Sequence, residues 1–327
     1  MVGDQADFPV LVSLTSDADL ASKARDNGFD IAFTSSNGTT KLAHEIEKFD
    51  GQTGGLAAWV KVPMLSSAAD TVIYMYYGNP TAADQQDRQA VWPGYEGVWH
   101  LSQASGSGAY LSNSAINDYH ATPFNTFFNS SGKIDGARRF VDNEAHRIQF
   151  DNEAALFNGW NRWTFGFWIY PDYPSDASWE ASGEDQFLQA LGPIRLGRVR
   201  REGWEDPGLG TLQIDIQFSN AGTIFVWPQI NRQAWNHIVY TYDGTDLTLF
   251  FNGVQVARVS APGDSLIEAT WFYIGGTIDT LNGSLDELRI SSRGRSSGWV
   301  LTEYNNQASP GSFIRLGSET SGPACSP

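Results

Sequence analysis

The stretch that decides the fold runs Gln233-Ala-Trp-Asn-His-Ile-Val-Tyr-Thr-Tyr-Asp-Gly-Thr-Asp-Leu-Thr-Leu-Phe-Phe-Asn-Gly-Val-Gln-Val256. Two strand-like runs flank the Asp243-Gly244 turn, and the second ends in Phe251-Asn252-Gly253 before a third strand. Asp-Gly and Asn-Gly supply the positive φ that a tight hairpin needs. Downstream come Ile274-Gly275-Gly276 and then Gly283-Ser-Leu-Asp286-Glu287-Leu-Arg-Ile290. Strands this short, joined by Gly turns, predict an antiparallel β architecture.

The rest of the chain agrees. On one side of the signature, Trp163 to Tyr170 places Trp163, Phe165, Phe167 and Ile169 on one face and Trp168 and Tyr170 on the other. Such a strand lies between two packed layers. Further strands are read at Val98–Leu101, Arg138–Phe140, Arg147–Phe150, Leu212–Phe218 and Thr223–Trp227, with loops at 102–133 and 171–210. A short helix is expected at Trp299–Tyr304 and a last strand at Ser312–Leu316. Nearer the N-terminus, strands are read at Phe8–Leu14, Asp30–Thr34, Leu56–Val62 and Thr71–Tyr77, the last apolar enough for burial on both faces. Asn37-Gly38 predicts a hairpin whose return strand is Lys41–Phe49, and Asp17–Arg25 a short helix capped by Ser16 or Asp17. Gly78-Asn79-Pro80 stops the last of these strands, and the polar run to Trp92-Pro93-Gly94 reads as a linker. The expected fold is all-β, with two tandem β-sandwich domains at 1–93 and 94–317 and a flexible tail at 318–327.

Composition narrows the function classes. The net charge of −16 repels phosphate backbones, so nucleic acid is not an expected partner. No apolar run approaches the ~20 residues of a membrane span. The single cysteine, Cys325, allows no internal disulfide and sits in the tail. The chain begins almost directly on its first strand without signal-peptide character, and is expected to be part of a larger protein.

With Trp235-Asn-His-Ile-Val, Tyr242-Asp-Gly, Leu249-Phe-Phe-Asn-Gly253, Ile274-Gly275 and Gly283–Ile290 in that order, residues from about 95 to 317 resemble a concanavalin A-like, laminin-G-like jelly roll. Residues from about 7 to 93 look like the bacterial domain of unknown function 2341, on Phe8-Pro-Val-Leu-Val12, Asp30-Ile-Ala-Phe33, Glu45-Ile-Glu47, Ala58-Trp-Val-Lys-Val-Pro63 and Ile73-Tyr-Met-Tyr-Tyr-Gly-Asn-Pro80. That family usually has an earlier strand carrying Trp, Tyr and Arg, which this chain lacks. The resemblance implies extracellular recognition of glycans or matrix ligands at a cell surface, often with calcium. It also implies that Asp286, followed by Glu287, helps hold a structural Ca2+ together with backbone carbonyls.

Calcium needs six to eight oxygens, so Asp286 alone is insufficient; Asp142-Asn143-Glu144 and Asp151-Asn152-Glu153 are oxygen-rich triplets that would add ligands. The alternative is that Asp286 caps a turn through its own backbone and that the triplets are turns. Strand alternation lets only one of Asp286 and Glu287 point inward. For saccharide, Trp179 and Trp204 lie in polar loops where packing does not demand Trp, and either stack on sugar or fold back as plugs. Arg195, Arg198, Arg200 and Arg201 form a basic cluster suited to carboxylates or sulfates, or to internal pairing with Glu202, Glu205 and Asp206.

Catalysis finds little support. Gln213-Ile-Asp-Ile-Gln217 echoes the Glu-Ile-Asp-Ile-Glu strand of concanavalin-like retaining glycosidases, but both outer positions are amides, which neither donate the proton nor form the glycosyl ester. The sequence therefore favours a non-catalytic glycan-binding or adhesion module. A structural or protein-interaction module comes second, and glycoside hydrolysis last.

Overall fold

The computed structural model describes residues 3–103, 111–117, 119–141, 145–150, 159–172, 184–191, 194–200, 209–218, 222–226, 229–266, 271–276 and 281–320. Only the backbone is described at 184–191, 194–200, 209–218, 222–223, 225–226 and 271. The architecture is all-β, in two compact units: Met1–Pro93 with Thr302–Pro327, and Gly94–Leu301.

The first unit is a small sandwich of two three-stranded antiparallel sheets. One sheet holds β1 (Gln5–Leu14), β5 (Gly55–Leu65) and β4 (His44–Asp50) in that order; the other holds β3 (Lys41–Leu42), β2 (Ala32–Ser35) and β6 (Ile73–Tyr76). Val12, Leu56, Ala58 and Val60 from the first meet Phe33 and Leu42 from the second. Leu20 of α1 (Ala18–Lys23) closes this core, and Asp17 caps α1 by accepting from the Asp19 and Leu20 N–H groups.

Three expectations change in this unit. The strand after Asn37-Gly38 pairs with β2 only at Lys41 and Leu42; beyond Ala43 the chain joins the other sheet as β4. Within residues 71–77 only the short edge strand β6 (Ile73–Tyr76) forms, and its Tyr74 is 46% exposed, so this run is not buried on both faces. Residues 302–317 group with the first unit, and no strand forms at 312–316. Instead α3 (Ser297–Ala308) is followed by α4 (Pro310–Phe313), with Pro310 in the first turn. The Asn306 side-chain amide binds the Leu11 N–H and C=O at 2.7 and 3.0 Å, satisfying β1 where it has no strand partner.

The second unit is a two-sheet antiparallel jelly roll. The first sheet runs β20 (Val254–Ser260), β19 (Asp246–Phe251), β18 (Asn236–Tyr242), β12 (Trp163–Pro171), β22 (Gly283–Ser291), β10 (Ala137–Phe140) and β9 (Phe127–Asn129), with β7 (Tyr95–Trp99) also on β22. The second runs β16 (Gly222–Val226), β15 (Leu209–Phe218), β14 (Ile194–Arg200), β13 (Glu184–Leu191), β21 (Trp271–Gly275), β11 (Arg147–Phe150) and β8 (Ala121–Phe124), with β17 (Gln229–Asn231) on β15. Trp163, Phe165, Phe167 and Ile169 enter the core between the sheets, as their alternation predicts, alongside Ile238, Tyr240, Phe272 and Ile274.

The opening stretch builds the β18–β19–β20 meander. At its first turn Asp243 Oδ1 accepts from the Thr245 and Asp246 N–H groups, both at 2.8 Å. At its second, Asn252 and Gly253 take φ of 49° and 78°, a two-residue hairpin open to few residues other than Asn and Gly. Residues 102–133 and 171–210, expected as loops, contain β8 and β9, and β13 and β14 respectively. Trp99, Trp163 and Trp168 are buried as expected, but Trp235 is only half-buried, edge-on to Tyr170 at 5.6 Å.

Candidate functional site

Two places in the second unit gather chemistry. The first lies on β22. Gly166 of β12 faces Arg289, but two residues on, Trp168 faces Asp286, so Glu287 and Leu288 together oppose Phe167. This is a β-bulge, and Glu287 sits in it at φ 53°. The bulge cancels strand alternation. Leu285, Leu288 and Ile290 all reach the core, while Asp286 and Glu287 are both buried, at 0% and 1% exposure. The expectation that only one of the two carboxylates turns inward is corrected.

Asp286 Oδ2 accepts the backbone N–H groups of Lys133 and Ile134 at 2.7 and 2.9 Å. Glu287 accepts from Arg289 at 2.6 Å and lies 2.7 Å from His100 Nδ1. Burial alone would raise the Glu287 carboxyl, but the neighbouring His100 and Arg289 charges outweigh it and hold the group below its ordinary value. His237 lies at 4.8 Å against Trp168, and the Lys133 ammonium sits 4.8 Å from the same indole. Burial, aided by the Arg289 and Lys133 charges, pushes the His237 imidazole down to about 3, so it is neutral. Burial likewise lowers Lys133, with Asp286 opposing.

The described surroundings of Asp286 Oδ2 do not fit calcium. A cation needs carbonyl and carboxylate oxygens turned toward it. Here the 133–134 backbone turns N–H groups toward Oδ2 instead, with an ammonium close by. Asp142 and Asn143 lie outside the described residues, as do Trp179, Trp204 and Arg201. Arg198 and Arg200 lie on strand β14, opposite Gln186 and Glu184 of β13, rather than in a charged loop. Asp215 of the Gln213–Gln217 strand lies opposite Arg195.

The second place was not marked by any sequence motif. It is the outward face of the second sheet at its β8–β11–β21 end. Ile148, Phe150, Phe272 and Ile274 point into the core. Their strand neighbours Arg147, Gln149 and Tyr273 are half-buried, and Phe124 is 37% exposed. The Arg147 guanidinium lies 4.6 Å from the Phe124 ring centroid and 5.8 Å from that of Tyr273. After Phe124 the chain turns at Asn125, with φ 57°, and enters the other sheet at Phe127, which is 55% exposed and edge-on to His146 at 5.3 Å. The Asn125 amide fixes this corner by donating to the Ala145 carbonyl. From here the ladder continues across the sheet in one register row, Thr122–Gln149–Tyr273–Gln189–Arg195–Asp215–Phe225. The exposed Phe124 ring, the Arg147 guanidinium and the Gln149 amide on a solvent-facing sheet, with exposed Phe127 at the adjoining corner, offer apolar faces and hydrogen-bonding groups.

Residues 142–301 match the family model described as the concanavalin A-like lectin/glucanases superfamily, and residues 27–107 that of the domain of unknown function DUF2341. No protein of curated function matches the sequence. Among solved structures, the chain is similar to the binding domain of Paraclostridial Mosquitocidal Protein 1, with a TM-score of 0.49 and 15% identity over 63% of this chain and 52% of that one. It is similar to the receptor binding domain of botulinum neurotoxin type G, with a TM-score of 0.48 and 14% identity over 65% and 51% of the two chains. Each of these two matches spans about half of the relative's length. A third is domain 4 of AbnA, a GH43 extracellular arabinanase from Geobacillus stearothermophilus, in complex with arabinotriose, with a TM-score of 0.44 and 17% identity over 63% and 96%. In family terms the chain joins a segment matching DUF2341 to a following concanavalin A-like, laminin-G-like domain, in that order.

Proposed function

We propose that this chain is a non-catalytic extracellular recognition module of a larger bacterial surface or secreted protein. It binds saccharide on the outward face of the jelly roll's second sheet. The observation that carries this reading is Phe124, exposed and beside Arg147 on strands β8 and β11 whose other face is core, with the exposed Phe127 at the corner where the chain passes into the other sheet. Sugars present flat C–H faces that aromatic rings cover, and hydroxyls that amides and guanidinium groups bind. Asp286 and Glu287 take a different part, anchoring the 133–134 segment and the β7 end to β22 without meeting ligand. Hydrolysis is not favoured: Asp215 is flanked on its strand by Gln213 and Gln217, and glycoside cleavage needs a second carboxyl.

The test is a glycan array, followed by titration of the bound sugars with wild type, Phe124→Ala and Phe127→Ala. Fully burying a Phe side chain is worth about 1.5–3 kcal/mol, so covering the exposed part of both rings is worth about 1.5–2.5 kcal/mol. The double variant is expected to bind about tenfold or more weakly. Unchanged binding by the double variant would move the ligand elsewhere. A second reading, an assembly module, is favoured by edge strand β20, which exposes Val254 and Val256 at 63% and 48%. It predicts self-association that Val254→Lys abolishes in size-exclusion chromatography.

A further inference from the structure

We infer that the saccharide bound on this face is acidic, and that Arg147 receives its carboxylate or sulfate. The inference rests on the binding face proposed above and adds the ligand's charge. Some arginines of the described chain pair with carboxylates, Arg139 with Asp172 at 2.9 Å, Arg289 with Glu287 at 2.6 Å and Arg258 with Asp246, while the buried Arg138 donates to the Gln103 carbonyl. In a protein of net charge −16 carboxylate partners are abundant. Arg147 uses neither a carboxylate nor a carbonyl of the described chain. Among the described residues it forms no ion pair, and its Nε has no hydrogen-bond partner. Two aromatic rings among the described residues hold it, Phe124 at 4.6 Å and Tyr273 at 5.8 Å.

That arrangement has a chemical consequence. Ring faces attract the cation but leave the in-plane N–H groups of the guanidinium unsatisfied. A planar fork already held in place loses little rotamer entropy when an anion arrives, and the fork matches a carboxylate or sulfate in two parallel bonds. Phe124, which the same guanidinium covers, has exposed ring left for the sugar carrying that anion. A neutral sugar would use Phe124 and Phe127 but leave the Arg147 fork unfilled.

The full chain is titrated calorimetrically with oligogalacturonate, with its fully methyl-esterified form, and with a sulfated chondroitin oligosaccharide. A charge-assisted hydrogen bond is worth about 1.5–3 kcal/mol, so an anionic ligand is expected to bind about tenfold to a hundredfold more tightly than its uncharged counterpart. Tighter binding of free than of esterified oligogalacturonate assigns a carboxylate, and preference for the sulfated oligosaccharide assigns a sulfate. In either case Arg147→Gln must remove the preference, and raising salt must weaken binding. Arg147→Lys, which keeps the charge without the fork, should retain part of it, and thermal melts of both variants report their folding. Equal binding of acid and ester, lost in Phe124→Ala but untouched by Arg147→Gln, overturns the anion assignment while leaving the binding face intact. No binding by any probe or array glycan overturns both.

Discussion

Replacing Asp286 with alanine tests whether its carboxylate is a structural anchor or a metal ligand. The structure gives it two backbone bonds, from Lys133 N–H at 2.7 Å and Ile134 N–H at 2.9 Å. Both end on one ionised oxygen, which makes them charge-assisted. A buried donor left without its partner costs about 1–3 kcal/mol. Ile134 is 5% exposed and pays that cost in full, while the half-buried Lys133 recovers part of it from water. Asp286→Ala should therefore destabilise the jelly roll by about 2–4 kcal/mol. For a domain of ~150–250 residues each kcal/mol moves the melting temperature about 2–4 °C, so the expected fall is roughly 4–16 °C. Asp286→Asn keeps an acceptor in place and should lose about half as much. Differential scanning calorimetry, run with calcium and with EDTA, separates the two roles. The anchor predicts that the alanine variant falls by the same amount in both buffers and that chelator leaves wild type unchanged. If chelator lowers wild type as far as the mutation does, or if Asp286→Ala melts with wild type, the argument from the N–H pair is wrong.

Acid should weaken the fold before any carboxylate titrates. The His237 imidazole is held near 3 against an unfolded value of about 6.5, so the unfolded chain binds a proton that the folded one refuses. Its stabilising effect is complete above pH ~6.5 and falls by about 1.4 kcal/mol per pH unit below it. Burial sets the same sign at His44 of the first unit, and Glu287, held low, adds its own loss only below its unfolded value of about 4.3. Urea melts between pH 7 and pH 5 should show a slope that His237→Phe reduces; an equal slope in the variant removes His237 from the account. Gly275 takes φ 82°, and a Cβ there would lie 2.2 Å from the His146 carbonyl oxygen, so Gly275→Ala should cost more than the ~1 kcal/mol of a left-handed residue. A Gly275→Ala protein with unchanged melting temperature would contradict that close approach.

Much of the fold was legible because its signals are local. Asp243-Gly244 and Asn252-Gly253 each specify a turn through their own backbone preferences, and Trp163 to Ile169 shows its alternation without reference to any partner. The misread segments depend on partners elsewhere. β6 is as apolar as a central strand, yet its position beside β2 alone makes it an edge. Residues 312–316 alternate like a strand, but Pro310 starts a helical turn and Ile314 instead packs against the core of the first unit. β4 continues the hairpin after Asn37-Gly38 in sequence but changes sheets after Leu42, a crossing that hydrophobic alternation does not record.

The candidate sites divide the same way, and the bulge at Glu287 explains how far sequence could have gone. A period of two assigns Asp286 and Glu287 to opposite faces, and it fails because one residue with positive φ absorbs a step of the alternation. The chain carries a trace of this: its apolar residues fall at Leu285, Leu288 and Ile290, a gap of three and then of two. A regular strand cannot bury that pattern on one side, and a bulge can. Residue spacing alone thus contained the correction to the carboxylate geometry. No comparable trace marks the binding face. Phe124, Arg147 and Tyr273 come from three different strands, each contributing one residue. Seen singly, an aromatic in a Ser- and Asn-rich stretch and an arginine between His146 and Ile148 carry no message. The antiparallel register that stacks β8, β11 and β21 sets Arg147 opposite both Phe124 and Gly275. The face is therefore a property of strand pairing, so a register shift of β8 would destroy the site while leaving every residue of it in the chain.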